Sequence, residues 1–234
     1  MNIPKIIRTL AIAALLLPGI ARAQSEPSIP ESITTPDTVE TRIGTLDFTD
    51  GAPSAETAEK VYDTMDFTRA LNAFNNSFRG ASAYAIRKGF QSIGAEDNTV
   101  VIFSELMDSK SLFLTANADT VYYLAAVDLS KGPMVIEQPP LGLGTINDMW
   151  FSWIIDIGIP GPDRGEGGKY LIVPPGYDGP LPEGGFYVAK SRTNRVLYAA
   201  RSFLKDNDPK PTVDLINMTL NLYPYTPGGF GSSI

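Results

Sequence analysis

The sequence predicts an α+β protein in which a short helical part precedes an antiparallel, jelly-roll-like β-sandwich. Two observations support this fold class. Apolar residues recur at roughly helical spacing over residues 55–90, and after Asn98 the pattern changes to short segments rich in β-branched and aromatic residues. Turn residues separate these segments and no helical pattern lies between them, which argues against a doubly wound α/β sheet.

The first 23 residues have the three parts of a secretory signal peptide. Lys5 and Arg8 form the charged start, residues 11–17 form a short apolar run, and the ARA motif at 21–23 supplies a small-x-small cleavage pattern. The apolar run is shorter than the ~20 residues that a membrane-spanning helix needs. We therefore expect cleavage after Ala23, a periplasmic or secreted bacterial protein, and no membrane span after cleavage.

Composition limits the chemistry of the 234-residue chain. It has no cysteine and no histidine, which excludes a disulfide framework, a Ser-His-Asp triad and the usual zinc sites. Its formal net charge is −7, and an acidic surface without basic patches argues against nucleic acid as a partner. We predict neither a metal site nor a cofactor.

The segments differ in composition, and the boundaries follow these changes. Residues 24–54 are rich in Ser, Thr, Pro and Glu and predict a flexible arm. In the helical part, Ser54 is the expected N-cap, and Gly80 and Gly89 are the expected stops of two helices. The predicted segments are the signal peptide 1–23, the arm 24–54, the helical part 55–90 with helices 55–78 and 81–88, the β-sandwich 91–206 and a linker-like segment 207–234.

Eight segments of the sandwich are predicted strands, because each is short and apolar and is bounded by turn residues. They are 100–106, 112–115, 120–129, 132–138, 149–157, 169–174, 186–191 and 195–203. Residues 211–218 fit either a helix or a strand, and the pattern does not decide between them.

The glycine-rich stretch 158–179 resembles a phosphate-binding loop only superficially. Lys169 is followed by Tyr170 instead of Ser or Thr, and the stretch leads into a strand, whereas a phosphate loop opens a helix. These glycines therefore predict turns. The charged residues Asp163, Arg164, Glu166 and Lys169 form either a solvated loop, which we favour, or the rim of a pocket.

Alternation along 149–157 predicts one core face and one polar face. The expected core residues are Met149, Phe151, Trp153, Ile155 and Ile157. The other face, which could line a ligand cleft, holds Asp148, Trp150, Ser152, Ile154 and Asp156. Asp148 and Asp156 would lie ~26 Å apart on one extended strand. That separation is too wide for a paired-carboxylate mechanism.

Other candidate residues precede or follow these strands. Asn117 and Asp119 precede Tyr122 and either cap a turn or line the same cleft as Asp148 and Trp150, where they could bind a polar ligand or calcium. Arg69 is either a surface pair or a clamp for an anionic ligand. Tyr170 and Tyr177 are expected to pack in the core or at corners. The candidate ligand-binding residues are Arg69, Asn117, Asp119, Tyr122, Asp148, Trp150, Asp163 and Lys169.

Three long stretches resemble a family of exported bacterial proteins, domain of unknown function 1254. They are ETAEKVYDTMDFTRALNAF (56–74), FLTANADTVYYLAAVDLSKGPMVIEQPP (113–140) and residues 147–201, which begin NDMWFSWIIDIGIPGPDRG. The resemblance implies a helical part followed by a β-sandwich. Members usually continue into a second β-domain of unknown-function family 1214, and NLYPYTPGG resembles the connecting segment, so the chain is expected to hold only the N-terminal domain.

Three functions remain open at this point. The first is a periplasmic ligand-binding or assembly module that acts with a second β-domain or as a homo-oligomer, on a small polar ligand. The second is a carboxylate-dependent hydrolase or lyase acting on a carbohydrate or small organic acid. The third is a structural protein of the cell envelope.

Overall fold

The computed structural model describes residues 29–30, 33–111 and 115–228, and it confirms the α+β class. The predicted signal peptide 1–23, most of the predicted strand 112–115 and the last six residues of the predicted linker lie outside the described residues. The described chain divides into two compact units, with the boundary between Arg69 and Ala70. None of the described helices is both long and apolar enough to cross a membrane.

The first unit begins with a small antiparallel sheet. Its strands are β1 Thr38–Thr41, β2 Gly44–Thr49 and β3 Ala52–Pro53, in the order β1-β2-β3. The prediction of a flexible arm over 24–54 is therefore wrong for residues 38–53. In β2 the apolar Leu46 and Phe48 alternate with Asp47 and Thr49, and the Thr57 hydroxyl accepts the Asp47 backbone N–H at 2.7 Å. The high Ser and Thr content concealed this strand pattern.

Helix α1, Ala55–Ser92, is one continuous helix of 38 residues. Ser54 caps it as predicted, since its Oγ accepts the Thr57 N–H at 3.1 Å. The predicted break at Gly80 and stop at Gly89 are wrong, because a helical glycine costs only ~1 kcal/mol and does not by itself end a helix. The chain turns instead at Gly94, whose φ of 89° is favourable only for glycine.

The second unit contains two sheets after the end of α1. The four-stranded sheet has the order β10-β9-β6-β12, and the five-stranded sheet has the order β4-β5-β11-β7-β8. Every pairing is antiparallel except that of β9 with β10. The strands are β4 Val101–Ile102, β5 Thr120–Asp128, β6 Met134–Gln138, β7 Gly142–Asp148, β8 Trp153–Gly158, β9 Gly168–Val173, β10 Tyr187–Lys190, β11 Arg195–Phe203 and β12 Asn221–Pro224.

One apolar core lies between these two sheets. Tyr123, Ile146 and Tyr198 contribute from the five-stranded sheet, and Ile136 and Tyr170 contribute from the four-stranded sheet; all five are almost fully buried. Because both sheets supply one contiguous core, they pack face to face as a sandwich. The finer prediction of jelly-roll connections is not confirmed.

A chain of polar side chains crosses this core. Tyr198 donates its hydroxyl to Gln138 Oε1 at 2.8 Å, and Gln138 Nε2 donates to the Tyr123 hydroxyl at 2.9 Å. The Tyr123 hydroxyl also lies 3.1 Å from Ser202 Oγ. Burial raises the pKa of both tyrosines. Each buried polar group thus has a partner, which fixes how the two sheets face each other.

Two strand predictions need correction here. The predicted strand 100–106 is formed only at Val101–Ile102. Strand β7 was not predicted, because its sequence GLGTIND has little β-propensity. A side chain at Gly144 would collide with the backbone of Ala199 on β11, so the glycine permits close strand approach.

The C-terminal segment is structured, so the linker prediction for 207–234 is wrong over most of its described length. Helix α2, Pro209–Thr219, begins at the N-cap Asp208 and resolves the undecided segment as a helix. Strand β12 then pairs with β6, and Tyr223 is buried in the core of the four-stranded sheet. Its hydroxyl donates to Glu137 at 2.7 Å. The Pro and Gly content that suggested a linker lies mainly after this strand.

Candidate functional site

The candidate site lies on the outer face of the five-stranded sheet. Tyr122 on β5 lies opposite Arg201 on β11, and Arg201 lies opposite Leu143 on β7. The neighbouring row contains Leu124, Ala199 and Thr145. Residues on either side of these along each strand point into the core, so both rows face outward.

Part of this outer face is covered by the end of α1 that belongs to the second unit. Ala83 and Ile86 of the helix pack against Ala126, Leu197 and Met149. No residue of α1 lines the groove over the rows that contain Arg201 and Ala199. The uncovered part of the sheet therefore forms the floor of a groove.

The groove has a volume of about 360 Å³, within the range of sites that take small ligands. Its lining is mostly apolar and carries polar side chains at Arg201, Tyr122, Thr145 and Thr115. The lining residues are Met107, Thr115, Ala116, Tyr122, Leu124, Leu143, Gly144, Thr145, Pro160, Ala199, Ala200 and Arg201. None of them is an Asp or a Glu. An apolar floor with a few convergent polar groups is typical of a ligand site.

Arg201 is the distinctive group of this groove. Its side chain makes no ion pair or hydrogen bond with any residue in the described part of the chain, although the residue is half-buried. Two other polar groups of the lining are already engaged: the Tyr122 hydroxyl accepts the Asn117 N–H at 3.0 Å, and Thr145 Oγ1 lies 3.4 Å from the Ile155 carbonyl oxygen. A guanidinium offers five N–H donors in a planar fork that matches a carboxylate. The groove is therefore equipped to hold an anionic head group.

A second cavity, of about 520 Å³, is larger than the groove but is a weaker candidate for a ligand site. Its partly buried carboxylates are already paired: Asp97 with Arg87 at 2.6 Å and with Arg195 at 3.1 Å, and Asp128 with Arg195 at 3.0 Å. Hydrogen bonding to Arg87 lowers the pKa of Asp97, although burial opposes the shift. These ion pairs give Asp97 and Asp128 a structural role.

The predicted site residues before β5 form a turn. Asn117 Oδ1 accepts hydrogen bonds from the Thr120 hydroxyl and from the Asp119 N–H, so the capping interpretation of Asn117 is confirmed. Asp119 is exposed. Tyr122 lines the groove, and its role in ligand binding stays a prediction. Across the described residues, no group of three or more acidic side chains could hold a metal ion.

Asp148 and Trp150 belong to the turn between β7 and β8. The buried Asp148 accepts the backbone N–H groups of Trp150 at 2.8 Å and Ser152 at 2.9 Å, and it lies 3.4 Å from Arg192. The Trp150 indole covers Gly80 of α1, where a Cβ would lie 2.9 Å from the ring. Both residues fasten this turn, and neither lines the groove.

The predicted single strand 149–157 is wrong in its first half, because residues 149–152 form the turn. Phe151 and Trp153, expected in the core, are exposed, and Trp153 is 64% exposed. Ile157 is buried as expected. Asp148 and Asp156 therefore lie on neighbouring antiparallel strands, and the predicted separation of ~26 Å along one strand does not apply.

Two of the four charged residues of the glycine-rich stretch, Asp163 and Lys169, have structural partners. Asp163 is buried and accepts hydrogen bonds from the Tyr170 hydroxyl at 2.5 Å and the Gly167 N–H at 3.1 Å. Burial and this carboxylate raise the pKa of Tyr170. The solvated-loop interpretation thus holds for the exposed Arg164 and Glu166 but is wrong for Asp163.

Lys169 and Arg69 are surface residues. Lys169 pairs with Glu137 at 3.1 Å. Arg69 pairs with Asp66 at 3.3 Å on the exposed surface of α1, as the simpler interpretation expected. The clamp role of Arg69 stays a prediction. Tyr170 is a core residue, and Tyr177 packs against the core of the four-stranded sheet, as predicted.

Arg201 was missed at the sequence level. Its signal was present: alternation along RVLYAARSF places Arg195, Leu197, Ala199 and Arg201 on one face and Val196, Tyr198 and Ala200 on the other. The groove could be predicted only if β7 were known to lie beside β11. Strand β7 was not predicted, because its glycines lower its β-propensity.

The fold and the groove define a two-sheet sandwich domain with an open, arginine-bearing site on one outer sheet face. The chain belongs to the family described as protein of unknown function (DUF1254), whose sequence model matches residues 98–224. This confirms the predicted family. The match extends through β12, which the linker prediction had placed outside the domain.

One solved structure, the VPA0106 protein from Vibrio parahaemolyticus, is similar to this chain. The sequences are 16% identical, and the TM-score is 0.51 over 69% of this chain and 40% of that chain. At this identity the likeness supports the fold alone. The chain spans less than half of the length of that protein. No match was found among curated proteins.

Proposed function

We propose that this protein is an exported ligand-binding domain, and that the groove at Arg201 takes a small organic acid with an apolar body. The observation that carries the proposal is the guanidinium of Arg201, which lies without a side-chain partner among the described residues on an otherwise apolar floor. A carboxylate would accept two parallel hydrogen bonds from it, and the apolar body would cover Leu124, Leu143 and Ala199.

Binding is favoured over catalysis in this groove. The alternative hydrolase or lyase requires carboxylates as acid and base, and no Asp or Glu lines the groove. Its polar groups instead suit recognition, because a guanidinium stays protonated and orients an anion.

The proposal is tested by adding small acids to the purified protein and measuring its thermal unfolding. Benzoate and hexanoate are the probes, and benzamide is the uncharged control. A ligand at one hundred times its Kd stabilises a protein by ~2.7 kcal/mol, which raises the Tm by roughly 5–10 °C for a chain of this size. We expect the two acids to raise the Tm and benzamide to leave it unchanged.

The variant Arg201→Gln then separates this groove from other sites. Loss of a charge-assisted hydrogen bond costs ~1.5–3 kcal/mol, so we expect binding of the acid to weaken at least tenfold by calorimetry. The matched control is Arg79→Gln, which removes an exposed arginine from α1. Equal weakening in both variants, or stabilisation by benzamide as large as by benzoate, would contradict the proposal.

Export is the second part of the proposal, and residues 1–23 support it by their order of charge, apolar run and small residues. N-terminal sequencing of the protein from the periplasmic fraction of an expressing bacterium tests it, with Gln24 as the expected first residue. The variant Ala23→Arg should accumulate as the uncleaved precursor. Mature protein that begins at Met1 in the cytoplasm would refute export.

A further inference from the structure

The middle of α1 has every residue exposed, from Met65 to Arg79. Four large apolar side chains lie on this segment: Phe67 is 70% exposed, Leu71 47%, Phe74 69% and Phe78 63%. Their spacing of four, three and four residues places them on one side of the helix. We call this set the Phe67–Phe78 stripe. A helix depends mainly on packing of its apolar side for stability, so the stripe requires a covering surface.

The pattern of the stripe is self-complementary. Its spacing of four, three and four residues is symmetric about the midpoint between Asn72 and Ala73. When a second α1 is laid antiparallel about that midpoint, Phe67 comes level with Phe78 of the partner subunit, and Leu71 comes level with Phe74 of the partner subunit. These are the core layers of an antiparallel helix pair with a twofold axis. We propose that α1 binds the α1 of a second copy of this chain in this arrangement.

The positions beside the stripe are compatible with this pairing. In the heptad that the stripe defines, the flanking positions hold Thr68, Ala70, Asn75 and Ser77, which are small or uncharged. The charged residues Asp66, Arg69 and Arg79 lie at the outer positions of the heptad. No like charges therefore face each other across the pair, and small side chains permit close approach of the helices.

The area available indicates a dimer of moderate affinity. From their exposed fractions, and with 150–250 Å² for a fully buried large side chain, the four stripe residues would bury roughly 370–620 Å² per copy. The pair then buries roughly 750–1,250 Å², a range that includes the lower limit for a specific interface. The dimer should thus form and dissociate within the micromolar range of protein concentration.

Sedimentation velocity of the purified protein between about 1 and 200 μM tests the pairing. We expect a monomer–dimer equilibrium that Phe74→Glu shifts to monomer by at least tenfold in Kd, because the substitution places charge in the core layer of both copies. The matched control is Asn76→Glu, which adds the same charge to the same helical turn on the opposite side. Circular dichroism checks that both variants keep their helix content.

Spin labels on single introduced cysteines test the antiparallel direction, and the native chain contains no cysteine that would interfere. In the antiparallel pair, labels at Asn72 lie nearly level, whereas the two Arg79 positions are offset by about 20 Å along the helix axis at ~1.5 Å per residue. A parallel pair brings both positions level. A monomer at every concentration, a dimer that Phe74→Glu leaves intact, or level labels at both positions would overturn the proposal.

Discussion

Gly80 contacts Trp150. Because of this contact, we predict that substitution of Gly80 either stabilises or destabilises the protein, depending on whether the indole is present. A Cβ added at Gly80 would lie 2.9 and 3.0 Å from the Cζ3 and Cε3 atoms of the indole. Both residues belong to the second unit, where the indole packs on the helix. The glycine is therefore required by the ring above it and not by the helix backbone, which is regular at this position.

These distances determine how much each substitution changes the free energy of unfolding. In a helix, Gly→Ala is stabilising by ~1 kcal/mol when nothing obstructs the new methyl group. Here the ring must shift by several tenths of an ångström, and overpacking costs ~1–3 kcal/mol. We therefore expect Gly80→Ala to lower the free energy of unfolding by up to ~2 kcal/mol. In a Trp150→Ala background the same change should raise it by ~1 kcal/mol, since the obstruction is gone.

Urea unfolding of the four proteins of this double-mutant cycle measures the effect, with the coupling expected at ~1–3 kcal/mol. Gly89→Ala is the matched control. Gly89 lies in the same helix with no atom near its Cβ position, so its substitution should be stabilising by ~1 kcal/mol in both backgrounds. An effect of Gly80→Ala that is the same with and without the indole would refute the steric reasoning.

Two further predictions concern buried polar groups. Asp97→Asn removes the charge that Arg87 and Arg195 share and should lower the free energy of unfolding by ~1–3 kcal/mol at pH 7. Because the folded-state pKa of Asp97 is lowered from its ordinary value of 3.8, this difference should be complete above about pH 4 and diminish as the pH falls through the folded-state pKa, which urea unfolding at several pH values would show. Gln138→Leu should cost ~1–3 kcal/mol, because it removes the acceptor of the buried Tyr198 hydroxyl; no loss of stability would contradict that role.

The strongest strand predictions were those with a dense β-branched and aromatic pattern. Strand β11 was predicted at its observed bounds 195–203, and β5 was predicted to within one residue. Both lie inside the five-stranded sheet, so local pattern and tertiary packing favour the same structure. Strand β7 could not be recognised, because its glycines serve the approach of β11, which is a property of the partner strand.

Less of the candidate site than of the fold could be predicted from the sequence. Tyr122 could be placed by alternation, and it does line the groove. Asp148 and Asp163 were predicted as site residues because they are carboxylates. Each instead accepts hydrogen bonds from the backbone, which the sequence alone does not reveal. Arg201 passed unnoticed, because an arginine on a strand is informative only when its neighbours across the sheet are known to be apolar.

The pairing of β12 with β6 has a consequence for the order in which the fold is completed. Strand β6 precedes β12 by more than 80 residues, and Glu137 holds Tyr223 and Asn221 across this gap. Until residues 221–224 have left the ribosome, the β6 edge keeps a row of unpaired backbone groups that another chain could join. The four-stranded sheet is thus closed last, by the segment whose sequence looks least like part of a domain.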